Sequence, residues 1–318
     1  MGSLENMATP SPDKKVIVVG SGWAGLSCAH ALSQRNYQIT LLEAAPQCGG
    51  RARSVQWQSL EIEVDNGQHI LLGAYHDFLK ILKSLGIEES VVFTRHPFHY
   101  SVIGQNTTAH LVCKSRSLLP EQLSLDMDLC LSKGWTWREK YQLGRFIAHY
   151  VFGDTSIPKN TTVLDLLKQA GQSQSLIQYF WEPILVAALS TPLEAASAQY
   201  AIRVLKDSFS GKSGNTDMLI PRVPLGDVFA TPMTQWLKRA GHTILTNQRV
   251  TSLIVSDPDA ENAECIGVKT KNDTFYGKVV LALPPRAKQS LIEPIASLKD
   301  CTNSWHKYNM NPLLPYIT

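Results

Sequence analysis

Near its start the chain changes from a continuous apolar run to a helical pattern and back. The run Lys15-Val-Ile-Val-Val-Gly20 places four β-branched residues in succession, which is typical of a strand buried on both faces of a parallel sheet. Residues 26–34 then carry apolar side chains on one side of a helix, and residues 37–42 have the pattern of a second strand. The sequence therefore predicts a β-α-β unit at this point.

The rest of the chain divides by pattern into a short helix, an aromatic-rich middle and a β-rich end. Residues 75–85 predict a helix that Gly86 ends. From about residue 91 to residue 230, aromatic side chains cluster among stretches with a helical pattern. These side chains either form a core or line an apolar binding site. Further strands are predicted at residues 243–246, 249–255, 265–270, 274–276 and 278–283.

Composition narrows the class of protein. The 318 residues are 44% hydrophobic and 18% charged, which suits a folded protein of about two domains. The formal net charge of +3 gives no reason to propose a nucleic-acid partner. None of the cysteines forms a C-x-x-C pair, so no metal site is predicted. Glycines interrupt the first apolar run, so we predict no signal peptide and expect a cytoplasmic location.

A glycine-rich turn follows the first predicted strand at once. In Gly20-Ser-Gly22-Trp-Ala-Gly25, the first glycine permits a tight turn and the second lets a pyrophosphate approach the backbone. The third lets the helix pack close to the strand, and the helix N-terminus offers N–H groups to phosphate. The turn therefore predicts a dinucleotide site.

Glu43 ends the second predicted strand, 18 residues after Gly25. A carboxylate at this place accepts hydrogen bonds from the adenosine ribose and repels a 2′-phosphate, which disfavours NADP. The alternative, a glycine-rich turn in some other α/β protein, would leave Glu43 unexplained.

A second glycine motif directly follows that acid, in Ala44-Ala-Pro-Gln-Cys-Gly49-Gly50-Arg51-Ala-Arg53. The order of fingerprint, acid and Gly-Gly-Arg turn resembles the flavoprotein superfamily of amine oxidases, protoporphyrinogen oxidases and phytoene desaturases. Two consecutive glycines give the backbone conformational freedom, and the forked guanidinium cation of Arg51 can bind phosphate. Arg53 is either a second such cation or a surface charge.

Further segments are similar to a narrower group, the squalene-associated FAD-dependent desaturases, also called hydroxysqualene dehydroxylases. The chief segment is Asp65-Asn-Gly67-Gln-His69-Ile-Leu-Leu-Gly73. Support comes from Phe180-Trp-Glu-Pro183 and from the prolines and glycine within residues 215–227. The resemblance covers roughly residues 14 to 290 and is most specific over residues 16–75.

The resemblance implies FAD as the cofactor and places Val250 against its adenine. His69 is the one catalytic candidate, placed beside the flavin to orient it or to carry a proton; the alternative is a histidine satisfied by backbone groups. The expected cofactor-binding residues are Gly20, Gly22, Trp23, Ala24, Gly25, Glu43, Ala44, Gly49, Gly50, Arg51, Gly67, Gln68, His69, Ile70 and Val250.

The resemblance also implies the architecture: an α/β protein with a Rossmann-type FAD-binding domain and an inserted, mainly helical substrate domain. Residues 14–90 and 236–295 would form the FAD-binding domain, and residues 91–235 the substrate domain. Residues 1–13 are expected to be a disordered leader, and residues 296–318 to begin a further substrate-domain strand. Because family members continue beyond this point, we expect a C-terminally truncated chain with an exposed sheet edge and an open flavin pocket.

The implied activity is reductive removal of the hydroxyl of hydroxysqualene to give squalene, which feeds hopanoid synthesis. This reaction requires an apolar isoprenoid substrate and an external electron donor, and we expect peripheral contact with a membrane. Other flavoenzyme activities, namely carotenoid desaturation or amine oxidation, are alternatives. A truncated remnant without catalysis and an NAD-dependent Rossmann enzyme are further ones.

Overall fold

The computed structural model describes residues 14–67, 70–103, 108–113, 121–209, 214–256 and 264–295. The strands are β1 (Lys15–Val19), β2 (Gln38–Leu42), β3 (Ser54–Trp57), β4 (Ile62–Asp65), β5 (Leu71–Leu72), β6 (Phe93–His96), β7 (Phe98–Ile103), β8 (Thr108–Cys113), β9 (Met218–Pro221), β10 (Thr243–Leu245), β11 (Val250–Val255), β12 (Cys265–Thr270), β13 (Thr274–Tyr276) and β14 (Lys278–Leu281).

The helices are α1 (Trp23–Ser33), α2 (His76–Ser84), α3 (Glu89–Val92), α4 (Glu121–Leu131), α5 (Trp137–Phe146), α6 (Val163–Gln169), α7 (Gln174–Leu176), α8 (Glu182–Leu189), α9 (Ala198–Phe209), α10 (Thr231–Arg239) and α11 (Pro285–Ile292). π-helical turns at Ile147–Val151, Ile177–Trp181 and Gly226–Ala230 continue α5, join α7 to α8 and precede α10.

A parallel sheet in the order β10-β2-β1-β14 carries the first predicted unit. The strand β1 lies inside the sheet, and its four β-branched side chains are almost fully buried, as their continuous apolar run predicted. Helix α1 begins at Trp23, three residues before the predicted start, because Gly22 is extended and its carbonyl accepts the amide of Leu26 at 3.0 Å. The Rossmann-type α/β fold is confirmed.

The predicted β-rich end forms two connected parts. Strands β11, β12 and β13 are an antiparallel meander, and β14 returns to the parallel sheet beside β1. Val268 of the meander packs with Ile17, Val19 and Leu42 of the parallel sheet in one apolar cluster. The β-rich end therefore belongs to the same body as the glycine turn.

The chain divides into two units whose boundaries differ from the predicted ones. The first contains the described parts of residues 14–67, 80–92 and 221–295, and the second contains those of residues 70–79 and 93–220. Residues 70–79 join the second unit because Leu71 of β5 pairs with Leu219 of β9. Residues 221–235, expected in the substrate domain, join the first unit because α10 packs on α1.

The second unit has helices over residues 121–209, as expected, and also strands that the sequence did not predict. Strands β7 and β8 pair in antiparallel fashion over their full lengths, and β5, β9 and β6 form a small sheet. The clustered aromatic residues fill the core of this unit: the rings of Phe146 and Trp181 lie 4.7 Å apart, and those of Phe180 and Trp181 lie 5.0 Å apart. These three rings are core side chains of the second unit.

Candidate functional site

Two glycines of the first turn are required by the packing of the protein itself. Gly20 has a φ of +98°, and a Cβ there would lie 2.6 Å from the carbonyl oxygen of Ala282. A Cβ on Gly25 would lie 1.9 Å from the carbonyl oxygen of Gly20. The turn therefore brings α1 against the end of β1 in a way that only glycine allows.

Gly22 differs from these two glycines because its Cβ direction is open. A Cβ built there would meet no described heavy atom within 4 Å. The residue is also the N-cap of α1, with no side-chain cap among the described residues and no acidic residue in the first helical turn. Open space in front of an uncapped helix N-terminus suits a phosphate group, so this region fits the pyrophosphate of a dinucleotide.

The second glycine motif runs beside the first. Gly49 forms a parallel bridge with Gly22, and its amide donates to the carbonyl of Ser21 at 2.9 Å. Gly50 has a φ of +61°, and a Cβ there would lie 3.0 Å from the Gly22 Cα. The next residue, Arg51, is exposed. The structure thus brings the two glycine motifs together and leaves an arginine at their edge.

Glu43 is fixed by three hydrogen bonds from the protein. Its Oε2 accepts from the amide of Ser21 at 2.8 Å and from the Ser21 hydroxyl at 2.6 Å, and its Oε1 accepts from the amide of Ala45 at 2.8 Å. A carboxylate has about four acceptor positions, so about one remains for a ligand hydroxyl. Sequence reasoning did not single out Ser21, since it occupies a variable position of the glycine motif.

A cavity of about 110 Å³ adjoins Glu43. Gly20, Glu43, Ala44 and Val250 line it, so the structure brings four of the predicted cofactor residues to one place. Apolar walls come also from Leu283, in the segment that by resemblance runs back to the cofactor, and from Ala287 and Leu291 of α11, a helix that the sequence did not predict. A carboxylate beside an apolar slot has the chemistry to bind a ribose and a purine ring.

The remaining predicted positions are less closely grouped. Trp23 packs edge-on against Phe229 with ring centroids 5.2 Å apart, and Ala24 is exposed at the start of α1. Gln68 and His69 lie outside the described residues. Gly67 ends one described stretch in the first unit, while Ile70 begins the next in the second unit and is 50% exposed.

Arg53, whose role the sequence left open, is half-buried, and its Nε is buried without a hydrogen-bond partner among the described residues. It lines a separate cavity of about 420 Å³ together with Thr234 and Lys238 of α10. The interpretation of Arg53 as a plain surface charge is therefore not supported by its burial.

No helix in the described parts of the chain has the length and apolar character needed to cross a membrane.

Comparison with protein families matches residues 23–312 to the family described as flavin containing amine oxidoreductase. The chain belongs to this family. FAD is therefore its cofactor, and the residues around Gly22 and Glu43 provide a fitting place for the dinucleotide. The family also accounts for the second glycine motif, which an NAD-dependent Rossmann enzyme has no need of.

Individual relatives agree with the assignment. Hydroxysqualene dehydroxylase of Zymomonas mobilis is 28% identical over 291 residues, which are 87% of this chain and 64% of that protein. Carotenoid phi-ring synthase of Chlorobaculum tepidum is 36% identical over 95 residues, which are 29% of this chain and 14% of that protein. The resemblance inferred from the glycine motifs is confirmed, and the chain spans about two thirds of the length of the dehydroxylase that it matches.

A solved structure supports the fold. The crystal structure of an oxidoreductase from Methanosarcina mazei superposes with a TM-score of 0.70 at 15% identity, covering 92% of this chain and 64% of that one. At this identity the similarity shows the fold alone.

Proposed function

We propose that this protein acts in FAD-dependent reductive dehydroxylation of hydroxysqualene to squalene. The observation that carries the proposal is the similarity to a hydroxysqualene dehydroxylase over 87% of the chain. The proposed partners are an apolar isoprenoid substrate and an external electron donor. The second unit is proposed to bind the isoprenoid.

The proposed cofactor contacts follow from the geometry of the first unit. The open face of Gly22 and the N-terminus of α1 receive the pyrophosphate, and the exposed Arg51 pairs with it. The remaining acceptor position of Glu43 binds a ribose hydroxyl, and Val250 borders the adenine in the cavity of about 110 Å³. These contacts orient the cofactor within the first unit.

The reaction consumes one hydride and one proton, which together amount to two electrons and two protons. The hydroxyl leaves as water after it takes up the proton, and a hydride replaces it on carbon. When bound, reduced FAD supplies that hydride. The protein must place the substrate, exclude water and donate the proton. His69 stays the candidate for the proton donor, and the flavin-proximal segment with Gly67, Gln68 and Ile70 stays the candidate for positioning the ring.

Carotenoid-type desaturation is the second candidate function, favoured by the 36% identity to the carotenoid phi-ring synthase over 95 residues. The two functions differ in the direction of electron flow, because dehydroxylation oxidises reduced flavin whereas desaturation reduces oxidised flavin. An anaerobic absorbance experiment can therefore separate them. One sample holds chemically reduced flavoprotein and receives hydroxysqualene, and the other holds oxidised flavoprotein and receives phytoene.

The proposal predicts that hydroxysqualene restores the oxidised flavin spectrum and that squalene appears in an amount equal to the flavin oxidised. Bleaching by phytoene together with no response to hydroxysqualene would contradict it and favour the desaturase. Amine oxidation is tested in a parallel aerobic sample, where release of hydrogen peroxide from an amine would contradict the proposal in the same way.

A further inference from the structure

Helix α4 exposes a stripe of aliphatic side chains. Leu123, Met127 and Leu131 follow one another at i, i+4 and i+8, and they are 56%, 43% and 66% exposed. The opposite side of the same helix is buried, with Leu125 and Leu129 in the core of the second unit. The helix therefore has two apolar faces, only one of which the core of the unit covers.

Helix α5 adds two exposed aromatic rings next to that stripe. Trp137 and Tyr141, at i and i+4, are 74% and 69% exposed. Lys140 links the two helices, because its Nζ donates to the carbonyls of Cys130 and Ser132 at 2.8 and 2.7 Å. The same Nζ lies 4.7 Å from the centroid of the Trp137 ring. The Trp137 ring is thus held beside the end of α4, and Tyr141 lies one helical turn further along α5.

Three basic side chains on or next to the two helices are exposed, namely Lys133, Arg138 and Arg145. One of them, Arg145, also donates to the carbonyl of Ala170 at 2.7 Å. The acidic side chains described on the two helices are less accessible: Asp126 is half-buried, Asp128 is buried, and Glu139 is engaged in a capping box with Thr136. We call the α4–α5 face the set Leu123, Met127, Leu131, Lys133, Trp137, Arg138, Tyr141 and Arg145.

We propose that the α4–α5 face docks the protein on the surface of an anionic lipid bilayer. Aliphatic and aromatic side chains enter the interfacial zone, while flanking lysine and arginine side chains pair with anionic headgroups. Exposed apolar patches rimmed by polar residues are typical of interaction sites. The charges favour a bilayer over a second copy of the chain, because a symmetric dimer through this face would oppose like charges.

The proposal extends the proposed function, since an apolar isoprenoid dissolves in the bilayer, but its test needs neither flavin nor substrate. Failure of vesicle binding is thus distinguishable from failure of the redox reaction. The test is flotation of the full chain with vesicles of phosphatidylcholine, either alone or mixed with phosphatidylglycerol.

The double variant Trp137→Ser, Tyr141→Ser is expected to bind the mixed vesicles at least about tenfold more weakly, because two rings no longer enter the interface. Arg138→Gln is expected to bind them about fivefold more weakly and to leave binding to pure phosphatidylcholine unchanged. Tyr200→Ser is the matched control: Tyr200 is 65% exposed on α9 of the same unit but outside the α4–α5 face, and the variant should bind like the wild type.

Unchanged circular dichroism and thermal unfolding of the double variant establish that its lost binding is not a loss of fold. The proposal is overturned if the wild type does not float with the mixed vesicles, or if the double variant and Tyr200→Ser bind equally. It is also overturned if sedimentation shows a wild-type dimer that the double variant abolishes, since the occupant would then be a second copy.

Discussion

The Ser21 hydroxyl donates to Glu43 Oε2 at 2.6 Å, and the Ser21 amide donates to the same oxygen at 2.8 Å. This pair joins the turn after β1 to the end of β2, two places that lie 22 residues apart in the chain. The serine is fully buried, so solvent does not compete for its hydrogen bonds. Ser21 therefore sets the orientation of the carboxylate that we propose to bind the ribose.

Ser21→Ala should weaken FAD binding about tenfold, because removal of a hydrogen bond to a charged group costs about 1.5 kcal/mol and leaves Glu43 less well oriented. The measurement is the dissociation constant of FAD by fluorescence titration. Ser252→Ala, an exposed hydroxyl deletion on β11, is the control. An unchanged dissociation constant in Ser21→Ala would show that Glu43 needs no support from the turn.

Gly25→Ala should lower the free energy of unfolding by about 3 kcal/mol or more, because the new Cβ would lie 1.9 Å from the Gly20 carbonyl oxygen. Gly22→Ala is the matched variant: its Cβ meets nothing described within 4 Å and its φ is −62°, so its stability should be close to that of the wild type. Urea unfolding without FAD measures both. Equal stabilities would mean that α1 can move away from the turn at little cost.

Two histidines should make stability depend on pH: His30 lies on α1, and His242 contacts the Ser33 hydroxyl at the end of that helix at 2.6 Å. Burial lowers the pKa of His30 and of His242 below the ordinary 6.5. The unfolded chain therefore binds protons before the folded one does, so stability is fully present above pH 6.5 and is lost as the pH falls through the folded pKa values.

The double variant His30→Gln, His242→Gln should flatten this dependence between about pH 5 and 7. The quantity to measure is the slope of the unfolding free energy against pH in urea. The exposed His96→Gln is the control. A slope in the double variant as steep as in the wild type would contradict the assignment of the pH dependence to these two imidazoles.

Gln172→Met should destabilise the second unit by about 2 kcal/mol. The Trp181 Nε1 donates to Gln172 Oε1 at 2.9 Å, and Trp181 is 1% exposed. The substitution would therefore leave a buried indole N–H without its hydrogen-bond partner. Adding Trp181→Phe to Gln172→Met should not destabilise the protein by the same amount again, because the indole N–H that lacked a partner is then removed. Thermal unfolding of the single and double variants tests this coupling, and strict additivity would refute it.

Local signals explain why the first unit could be predicted from sequence. The apolar run of β1, the glycine turn and the acid at the end of β2 lie within thirty residues. Each of these local patterns predicts its own structure without knowledge of distant contacts. Val250 was placed through the family resemblance, because its approach to Glu43 depends on the distant pairing of β10 with β2 and on the Gln248 amide, which donates to the Glu43 carbonyl at 2.8 Å. Ser21 could not be identified, since no pattern distinguishes a variable motif position that binds the acid from one that does not.

The second unit was harder to predict because its decisive interactions are between distant residues. On α4 both Leu125 and Leu131 are leucines, and only tertiary packing decides that the first is buried and the second exposed. The hairpin of β7 and β8 was missed because its aromatic residues suited the helical interpretation of the whole region.

The most direct test of the cofactor site compares FAD retention by the wild type and by Gly22→Ala, using absorbance after incubation with FAD and desalting. The wild type should keep the flavin bands near ~370 and ~450 nm. Gly22→Ala should keep its thermal unfolding temperature without FAD but lose the bands, because a methyl group fills the space proposed for the pyrophosphate. Equal retention of FAD by the two proteins would contradict this site.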